Sequence, residues 1–360
     1  MKNKSASHLV LIGLFVVLVL AASNSIVRAQ GSPPTTHWIL QPPATGDWFT
    51  PGNWSPGSPN PLVGASINNG GHAQIHGGPN HATAEFLVLG ENQGDSGSVT
   101  IDGDNSAVLD VGGLCRGNIY IGNRGSGNLT ISGQGYIRSR YGYVAAVANP
   151  TRPASNGTVK VKNSAIWYLY DTYNEPGCSG AELFIGCTAN SNNGGTATVD
   201  VSGGAQIRVL SDGGSTGVKV GLSGMLTGDG LVYIGGVTKA VEIHGTLAPK
   251  GGDLEIAGNL NLELSANTVF NVTPQAWDNV HVTNLTGGGV ADLDGRITVI
   301  MTGNFMAGMS FTLLYADTGL NQTQFMSESI IYNSNPWDPC ITPVITYDAN
   351  RVYLEIHGCD

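Results

Sequence analysis

The side chains best suited to chemistry form a basic group in the middle of the chain. The group comprises Arg138, Arg140, Lys160 and Lys162, together with Tyr141. A coil of about 30 residues would bring residues in the 130s near residues in the 160s on adjacent coils, and so would bring the two halves of the group together. Polysaccharide cleavage by proton abstraction requires such a base beside a neutralised uronate carboxylate. The alternative is a solvated outer face, which the sequence favours because its few charges are spread thinly.

Aromatic residues open a long segment that precedes Leu183. They are Trp167, Tyr168, Tyr170 and Tyr173. Flat rings on a rigid outer face can stack on sugar rings or anchor a protein at low entropic cost, so these four are the candidate binding residues. In the alternative interpretation Trp167 and Leu169 point into the core, while Tyr168 and Tyr170 shield a loop.

Metal binding has one weak candidate in the sequence. Asp102 and Asp104 resemble the opening of a calcium loop, but Ala107 and Gly113 stand where such a loop needs glycine and a bidentate glutamate. The histidines His72, His76 and His81 have metal-like spacing within a turn-rich segment. We therefore expect no cofactor, and the alternative is calcium bound at the two aspartates. We expect the three histidines to be incidental surface residues.

Composition limits the fold class and the partners. The 360 residues include 52 Gly but only 12% charged residues, which is typical of many short strands and tight turns. The formal net charge is −10. Nucleic acids and anionic membranes bind proteins through Lys and Arg contacts that release counterions, so we expect neither as a partner. A carbohydrate or a protein at the cell surface is the expected partner.

The first 29 residues are typical of a secretory signal peptide. Lys2 and Lys4 precede an apolar core from Leu9 to Ala22, and we predict cleavage after Ala29. An uncleaved anchor is the alternative, but this core is shorter than the roughly 20 residues of a spanning helix. The protein is therefore predicted to be secreted, extracellular or at the cell surface, without a transmembrane segment after cleavage.

The five cysteines all follow the signal segment. An oxidising compartment favours local pairing, so the predicted disulfides join Cys178 to Cys187 and Cys340 to Cys359, with Cys115 single and buried. Their spacing fits no zinc pattern.

The central region repeats in sequence. Val99, Leu129, Val159 and Val199 occupy equivalent positions, separated by 30, 30 and 40 residues. Three short period-two strands per repeat predict an all-β fold, a three-sided parallel β-helix with a β-rich C-terminal cap. A propeller is less suitable because each blade needs four antiparallel strands in about 40 residues. The expected boundaries are 30–64 for an N-terminal cap segment, 65–314 for the coils and 315–360 for the C-terminal cap.

Several motifs carry a family resemblance. The segment with Trp38, Trp48, Trp54 and Ile67–Ile75 resembles the start of secreted bacterial autotransporter-passenger-like proteins. The Leu-x-Ile-Gly and Gly-x-Leu-Thr-Ile-Ser-Gly elements resemble the repeat of proteins bearing exosortase sorting signals. The resemblance covers about residues 38–315 and implies a right-handed β-helix displayed outside the cell. No translocator barrel or apolar tail with basic residues follows, so neither autotransport nor exosortase anchoring is expected.

These observations predict a secreted, non-catalytic β-helix scaffold that acts as a surface, extracellular-matrix or adhesion protein and binds glycans. The alternative is a β-helix polysaccharide lyase or glycoside hydrolase that uses the basic group. Assembly through exposed coils at one end is a third hypothesis.

Overall fold

The computed structural model describes residues 34–112, 117–146, 155–170, 180–210, 217–236, 239–333 and 339–359. The chain divides into a unit Met1–Pro34 and a unit Thr35–Asp360. The predicted signal peptide lies outside the described residues and stays a prediction. Within the described ranges the second unit is all-β, with one short 3-10 turn at Pro51–Asn53.

The strands, numbered in chain order, form three sheets of eleven strands each. Sheet 1 contains β1 (Thr35–Trp38), β3 (Trp54–Ser55), β4 (Gly64–Ile67), β7 (Leu87–Leu89), β10 (Asn118–Ile121), β13 (Tyr141–Val144), β16 (Glu182–Ile185), β19 (Val218–Val220), β22 (Ala240–Ile243), β25 (Asn259–Leu262) and β28 (Ala291–Leu293). Sheet 2 contains β2 (Thr45–Asp47), β5 (Asn69–His76), β8 (Ser96–Gly103), β11 (Ser126–Gly133), β14 (Asn156–Lys162), β17 (Thr196–Ser202), β20 (Gly224–Gly228), β23 (Thr246–Pro249), β26 (Asn267–Val272), β29 (Arg296–Met301) and β31 (Ser327–Tyr332). Sheet 3 contains β6 (Ala82–Ala84), β9 (Val108–Val111), β12 (Tyr136–Ser139), β15 (Ile166–Tyr170), β18 (Gln206–Leu210), β21 (Leu231–Ile234), β24 (Asp253–Ala257), β27 (Asn279–Thr283), β30 (Ser310–Ala316), β32 (Ile341–Tyr347) and β33 (Arg351–Gly358).

From β4 to β30 the chain visits sheets 1, 2 and 3 in turn, so each successive triplet of strands is one coil. Neighbouring strands in this range pair in parallel, and the exceptions occur at the ends, where β1 pairs with β3 and β33 pairs with β30 and β32 in antiparallel fashion. The predicted three-sided parallel β-helix is confirmed.

The predicted equivalence of positions in successive repeats is confirmed in sheet 2. Leu129 pairs with both Val99 and Val159, and Val159 pairs with Val199. All four side chains are at most 1% exposed. Period-two alternation turns every second residue inward, where it packs against the coils above and below. Burial of each such side chain contributes about 1.5–3 kcal/mol, which one coil on its own would not obtain.

Glycines close the corners between sheets 1 and 2. Gly90 and Gly122 both have a φ of 67°, a region that favours glycine. A Cβ at Gly122 would lie 1.9 Å from the Asn156 carbonyl oxygen, and one at Gly90 would lie 2.4 Å from that of Ser126. The glycine that ends each Leu-x-Leu-Gly or Ile-x-Ile-Gly element therefore allows the chain to turn close to the next coil.

One sheet 1 strand departs from the repeat pattern. β13 has Gly142 at an inward position, where the neighbouring coils have Ile119 and Leu183. Trp167 of sheet 3 fills the interior there. Its Cζ2 atom is so close that a Cβ at Gly142 would lie only 2.7 Å from it. The sequence pattern missed this strand because its inward position lacks an apolar side chain.

The two ends differ in construction. Near the N-terminus Trp38 and Trp48 pack edge-on against Trp54, with ring centroids 4.9 Å apart in both pairs. Near the C-terminus β31 continues sheet 2 in parallel, while β32 and β33 add an antiparallel pair to sheet 3. The segment predicted as a cap, 315–360, thus contains one more parallel strand as well as the antiparallel pair.

Candidate functional site

A groove of about 750 Å³ runs along the outer face of sheet 3. Its lining residues come from β12, from β15 and from the turns beside them: Asn105, Gln134, Tyr136, Arg138, Ser164, Ile166, Tyr168 and Tyr170. The structure thus brings Arg138 of the predicted basic group together with Tyr168 and Tyr170 of the predicted aromatic group.

Register explains why these side chains meet. Arg138 pairs with Asp110 on one side and with Tyr168 on the other. On the next two coils, Tyr168 pairs with Arg208, and Arg208 pairs with Tyr233. Parallel strands lie about 4.8 Å apart, so each outward side chain stands directly beside its counterpart on the next coil. We call this row, Asp110, Arg138, Tyr168, Arg208 and Tyr233, the sheet 3 ladder.

Arg138 is held by groups on both sides. Its Nε lies 2.8 Å from Asp110 Oδ1, and its Nη2 donates a hydrogen bond of 3.0 Å to the Tyr136 hydroxyl. Partial burial opposes the charged form, but Asp110 and Tyr136 outweigh it and raise the pKa of Arg138. The guanidinium is therefore a permanent cation in the groove and cannot serve as a general base at ordinary pH.

Tyrosine rings and guanidinium groups alternate along the sheet 3 ladder. Arg208 Cζ lies 6.0 Å from the Tyr168 ring centroid and 5.7 Å from that of Tyr233. Tyr136 meets Tyr168 edge-on, with centroids 6.2 Å apart at 89°. Because the rings do not stack face to face on one another here, their side chains stay partly exposed along the ladder.

The other predicted binding residues have different positions. Trp167 is fully buried in the core, and its indole N–H donates to Ser139 Oγ at 3.0 Å. It therefore packs beneath the groove and does not line it, which corrects its place among the candidate binding residues. The physical reason is strand alternation, which directs Trp167 and Leu169 inward and Tyr168 and Tyr170 outward. Tyr173 lies outside the described residues.

The predicted basic group is divided between faces. Lys160 and Lys162 are on β14 of sheet 2, where Lys160 pairs with Thr130 and Asp200. Arg140 lies at the corner after β12, and its Nε donates to the Gly180 carbonyl oxygen at 2.9 Å. The expectation that a 30-residue coil brings all four residues together is wrong. Register pairs residues 30 apart, Thr130 with Lys160 and Arg138 with Tyr168, whereas Arg138 and Lys160 are only 22 residues apart and lie on different sheets.

The two aspartates considered for calcium are engaged in local hydrogen bonds. Ser132 Oγ donates to Asp102 at 2.8 Å. Asp104 accepts the side-chain hydroxyl and backbone N–H of Ser106, and these two bonds lower its pKa. Among the three histidines of the same region, His72 hydrogen-bonds Thr100 and His81 lies 3.7 Å from Asp110. These groups stabilise turns and neighbouring coils.

The cysteines are only partly described, since Cys115 and Cys178 lie outside the described residues. Cys187 is a free, buried thiol whose Sγ is 3.3 Å from the Lys219 carbonyl oxygen. This state differs from the predicted bridge to Cys178. Burial raises the pKa of Cys187 to about 11, so the thiol stays protonated. Cys340 and Cys359 are both exposed, and their predicted bridge stays a prediction.

Sequence reasoning missed Arg208, Tyr233 and the polar groove residues Asn105, Gln134 and Ser164. A signal for Arg208 was present, because Ile137, Trp167 and Ile207 pair as equivalent inward positions and each is followed by an outward residue of the ladder. The turn residues gave no such signal.

No protein-family model matches the chain, and no curated protein matches its sequence. Within the described residues no helix combines the length and apolar character that a membrane crossing would require.

Proposed function

We propose that this protein is a secreted, non-catalytic β-helix scaffold of the cell surface or extracellular matrix, and that the sheet 3 groove binds carbohydrate. The observation that carries the proposal is the alternation of partly exposed tyrosine rings with fixed guanidinium groups along the sheet 3 ladder. The resemblance to autotransporter-passenger-like proteins and the predicted signal peptide support its display outside the cell.

The groove offers two complementary kinds of contact. The rings of Tyr168 and Tyr170 provide flat apolar surfaces for the faces of sugar rings. Arg138 provides a charge-assisted donor for a carboxylate or sulfate group on the sugar. Since the strands beneath are hydrogen-bonded on both sides, these groups are held before the ligand arrives, which lowers the entropic cost of binding. Acidic glycans are therefore the favoured class.

The chemistry of the groove supports binding over turnover. The described lining residues include no carboxylate, whereas glycoside hydrolysis uses a pair of them. Arg138 remains protonated beside Asp110, so it supplies charge but not a base for proton abstraction. Lys160 and Lys162, the other candidate bases, belong to another sheet.

The test is a glycan array probed with the purified secreted chain, followed by titration of any hit. We expect acidic oligosaccharides to bind without chain cleavage. Tyr168→Ala should weaken binding roughly tenfold, as expected for the loss of one aromatic contact, and Arg138→Gln should weaken acidic glycans selectively.

The matched control is Tyr332→Ala, which removes a partly exposed tyrosine from sheet 2. Equal binding by the Tyr168→Ala and Tyr332→Ala proteins would place the glycan elsewhere. Unsaturated or shortened products would replace the scaffold proposal with an enzymatic one.

A further inference from the structure

A second polar cluster lies on the outer side of sheet 1, away from the groove. It consists of Glu242 in β22, His244 just after β22 and Glu263 just after β25. One nitrogen or oxygen atom from each of the three side chains lies within 4.8 Å of the others. This convergence of an imidazole and two carboxylates is the donor set of a metal site.

The fold brings these residues together from two successive coils. Ile243 pairs with Leu262, and the backbone N–H of Glu263 donates to the Ile243 carbonyl oxygen at 2.9 Å. Parallel register therefore places His244 beside Glu263, while Glu242 shares the outward side of its strand with His244. Glu242 lies within β22, and His244 and Glu263 directly follow hydrogen-bonded strands, so side-chain rotations are enough to adjust the three donors.

The cluster is shielded from solvent. The His244 side chain is 12% exposed and that of Glu242 is 18% exposed. His244 Nε2 contacts Glu242 Oε1, and its Nδ1 lies 3.2 Å from Asn192 Nδ2. Burying two carboxylates this close together is costly unless a cation compensates them.

One cation is already present beside the cluster. Lys219 Nζ lies 3.3 Å from Glu242 Oε1, and the register places Lys219 on the adjacent coil. A single ammonium leaves one negative charge of the two carboxylates uncompensated. A divalent ion between His244 and the two glutamates carries two positive charges, which match the two carboxylates, and it competes with the ammonium for Glu242.

We propose that Glu242, His244 and Glu263 bind a divalent transition-metal ion of the zinc class. Zinc accepts mixed imidazole and carboxylate ligands at about 2.0–2.2 Å, with a tetrahedral arrangement that separates the donor atoms by about 3.3–3.6 Å. Donors that already lie within 4.8 Å of one another need to move by only about 1 Å to meet this geometry.

Asn192 completes the site as an outer partner. When His244 Nε2 holds the ion, its Nδ1 carries the proton and needs an acceptor. A half-turn of the Asn192 amide places its oxygen where its nitrogen now stands, 3.2 Å from Nδ1. The ion then joins the coil of β22 to the coil of β25 and stabilises both.

The test uses the full secreted chain without a histidine tag, stripped with a chelator and then titrated with zinc. We expect one zinc per chain by elemental analysis after dialysis, a higher unfolding temperature with zinc, and visible absorption bands when cobalt(II) replaces it. Glu263→Gln preserves the shape of the side chain. This substitution should weaken zinc binding at least about tenfold, because the loss of a residue that only hydrogen-bonds a metal ligand already lowers metal affinity by that factor.

Two further variants separate the site from incidental binding. His281→Ala removes a histidine that pairs with Asp317 at 3.0 Å on another sheet, and it should leave zinc affinity unchanged. Lys219→Met removes the competing ammonium and should tighten binding several-fold, an effect that a purely structural cluster would not show. Failure to retain zinc, or equal zinc affinity in the Glu263→Gln and parent proteins, would overturn the proposal.

Discussion

Outward aromatic residues on sheets 1 and 3 experience different surroundings. On sheet 1, Tyr143 stacks on Tyr120 with ring centroids 5.0 Å apart and on Phe184 at 5.3 Å. Phe184 is only 1% exposed, and burial raises the pKa of Tyr143 to about 12. On sheet 3, Tyr168 has Arg138 and Arg208 as its neighbours and stays partly exposed.

The difference shows that the side chains on adjacent coils determine whether the face of an aromatic ring is covered or accessible. Coils about 4.8 Å apart place equivalent side chains at nearly the distance of stacked rings. When two aromatic residues follow each other, each covers the face of the next, and the stack contributes to stability. When arginine alternates with tyrosine, ring surface stays accessible together with a positive charge.

The sharpest test of this comparison is a pair of matched truncations, Phe184→Ala on sheet 1 and Tyr168→Ala on sheet 3. Phe184→Ala should lower the free energy of unfolding by about 3–5 kcal/mol, because it leaves a cavity in a fully packed site. Tyr168→Ala should cost about 1 kcal/mol or less, as is usual for partly exposed positions. Chemical denaturation of the two variants gives both values, and similar losses would contradict the proposed difference between the faces.

The C-terminal end of sheet 3 provides a second test. Sheet 3 ends in β32 and β33, whose antiparallel register pairs Ile341 with Gly358. The next pair in this register is Cys340 with Cys359, and antiparallel partners have the Cα separation that a disulfide needs. We therefore expect oxidation by the thiol oxidoreductases of a secretory compartment to bridge them, stabilising the protein by about 3 kcal/mol.

Intact mass with and without reductant measures this bridge, which removes two hydrogens. The bridge also predicts that reductant lowers the stability of the parent protein but not that of a Cys340→Ser, Cys359→Ser double variant. An unchanged mass after reduction would exclude it, and the end of sheet 3 would then depend on β-pairing alone.

A third test concerns the interior that both faces share. Gly142 of sheet 1 and Trp167 of sheet 3 meet inside the coil, where a Cβ at Gly142 would lie 2.7 Å from both Trp167 Cζ2 and Leu183 Cδ1. Gly142→Ala should therefore cost about 1–3 kcal/mol through overpacking. Trp167→Phe creates space at this contact, so the double variant should lose less stability than the sum of the single losses. A double-mutant cycle measures this coupling, and strict additivity would show that the two residues do not share one packing site.

The residues that occupy equivalent positions in successive coils could be predicted wherever the inward side chains were large and apolar. Val99, Leu129, Val159 and Val199 revealed it because burial selects branched side chains at the same position of every coil. β13 escaped prediction because Gly142 has no side chain to reveal its inward position. The cluster of Glu242, His244 and Glu263 escaped as well. Its members come together only when β22 and β25 are known to lie on adjacent coils, and the repeat spacing is irregular beyond Gly221.

The sequence predicted several of the residues that line the groove, but it did not predict which of the candidates lie on the same sheet. Tyr168, Tyr170 and Arg138 were all candidates, but Lys160 was grouped with Arg138 although the two lie on different sheets. The order of residues along one strand determines which side chains face outward. It does not determine which strand of the next coil lies beside it when coil lengths vary.

The sequence by itself determined the architecture, because period-two burial and glycine corners depend only on local pattern. Tertiary structure decided which outward residues became neighbours, since those contacts join residues 19 to 40 positions apart through parallel register. The same rule placed Trp167 in the core, Tyr168 in the groove and Glu263 beside His244. Local physics therefore sets the direction of each side chain, and the register between coils determines its partners.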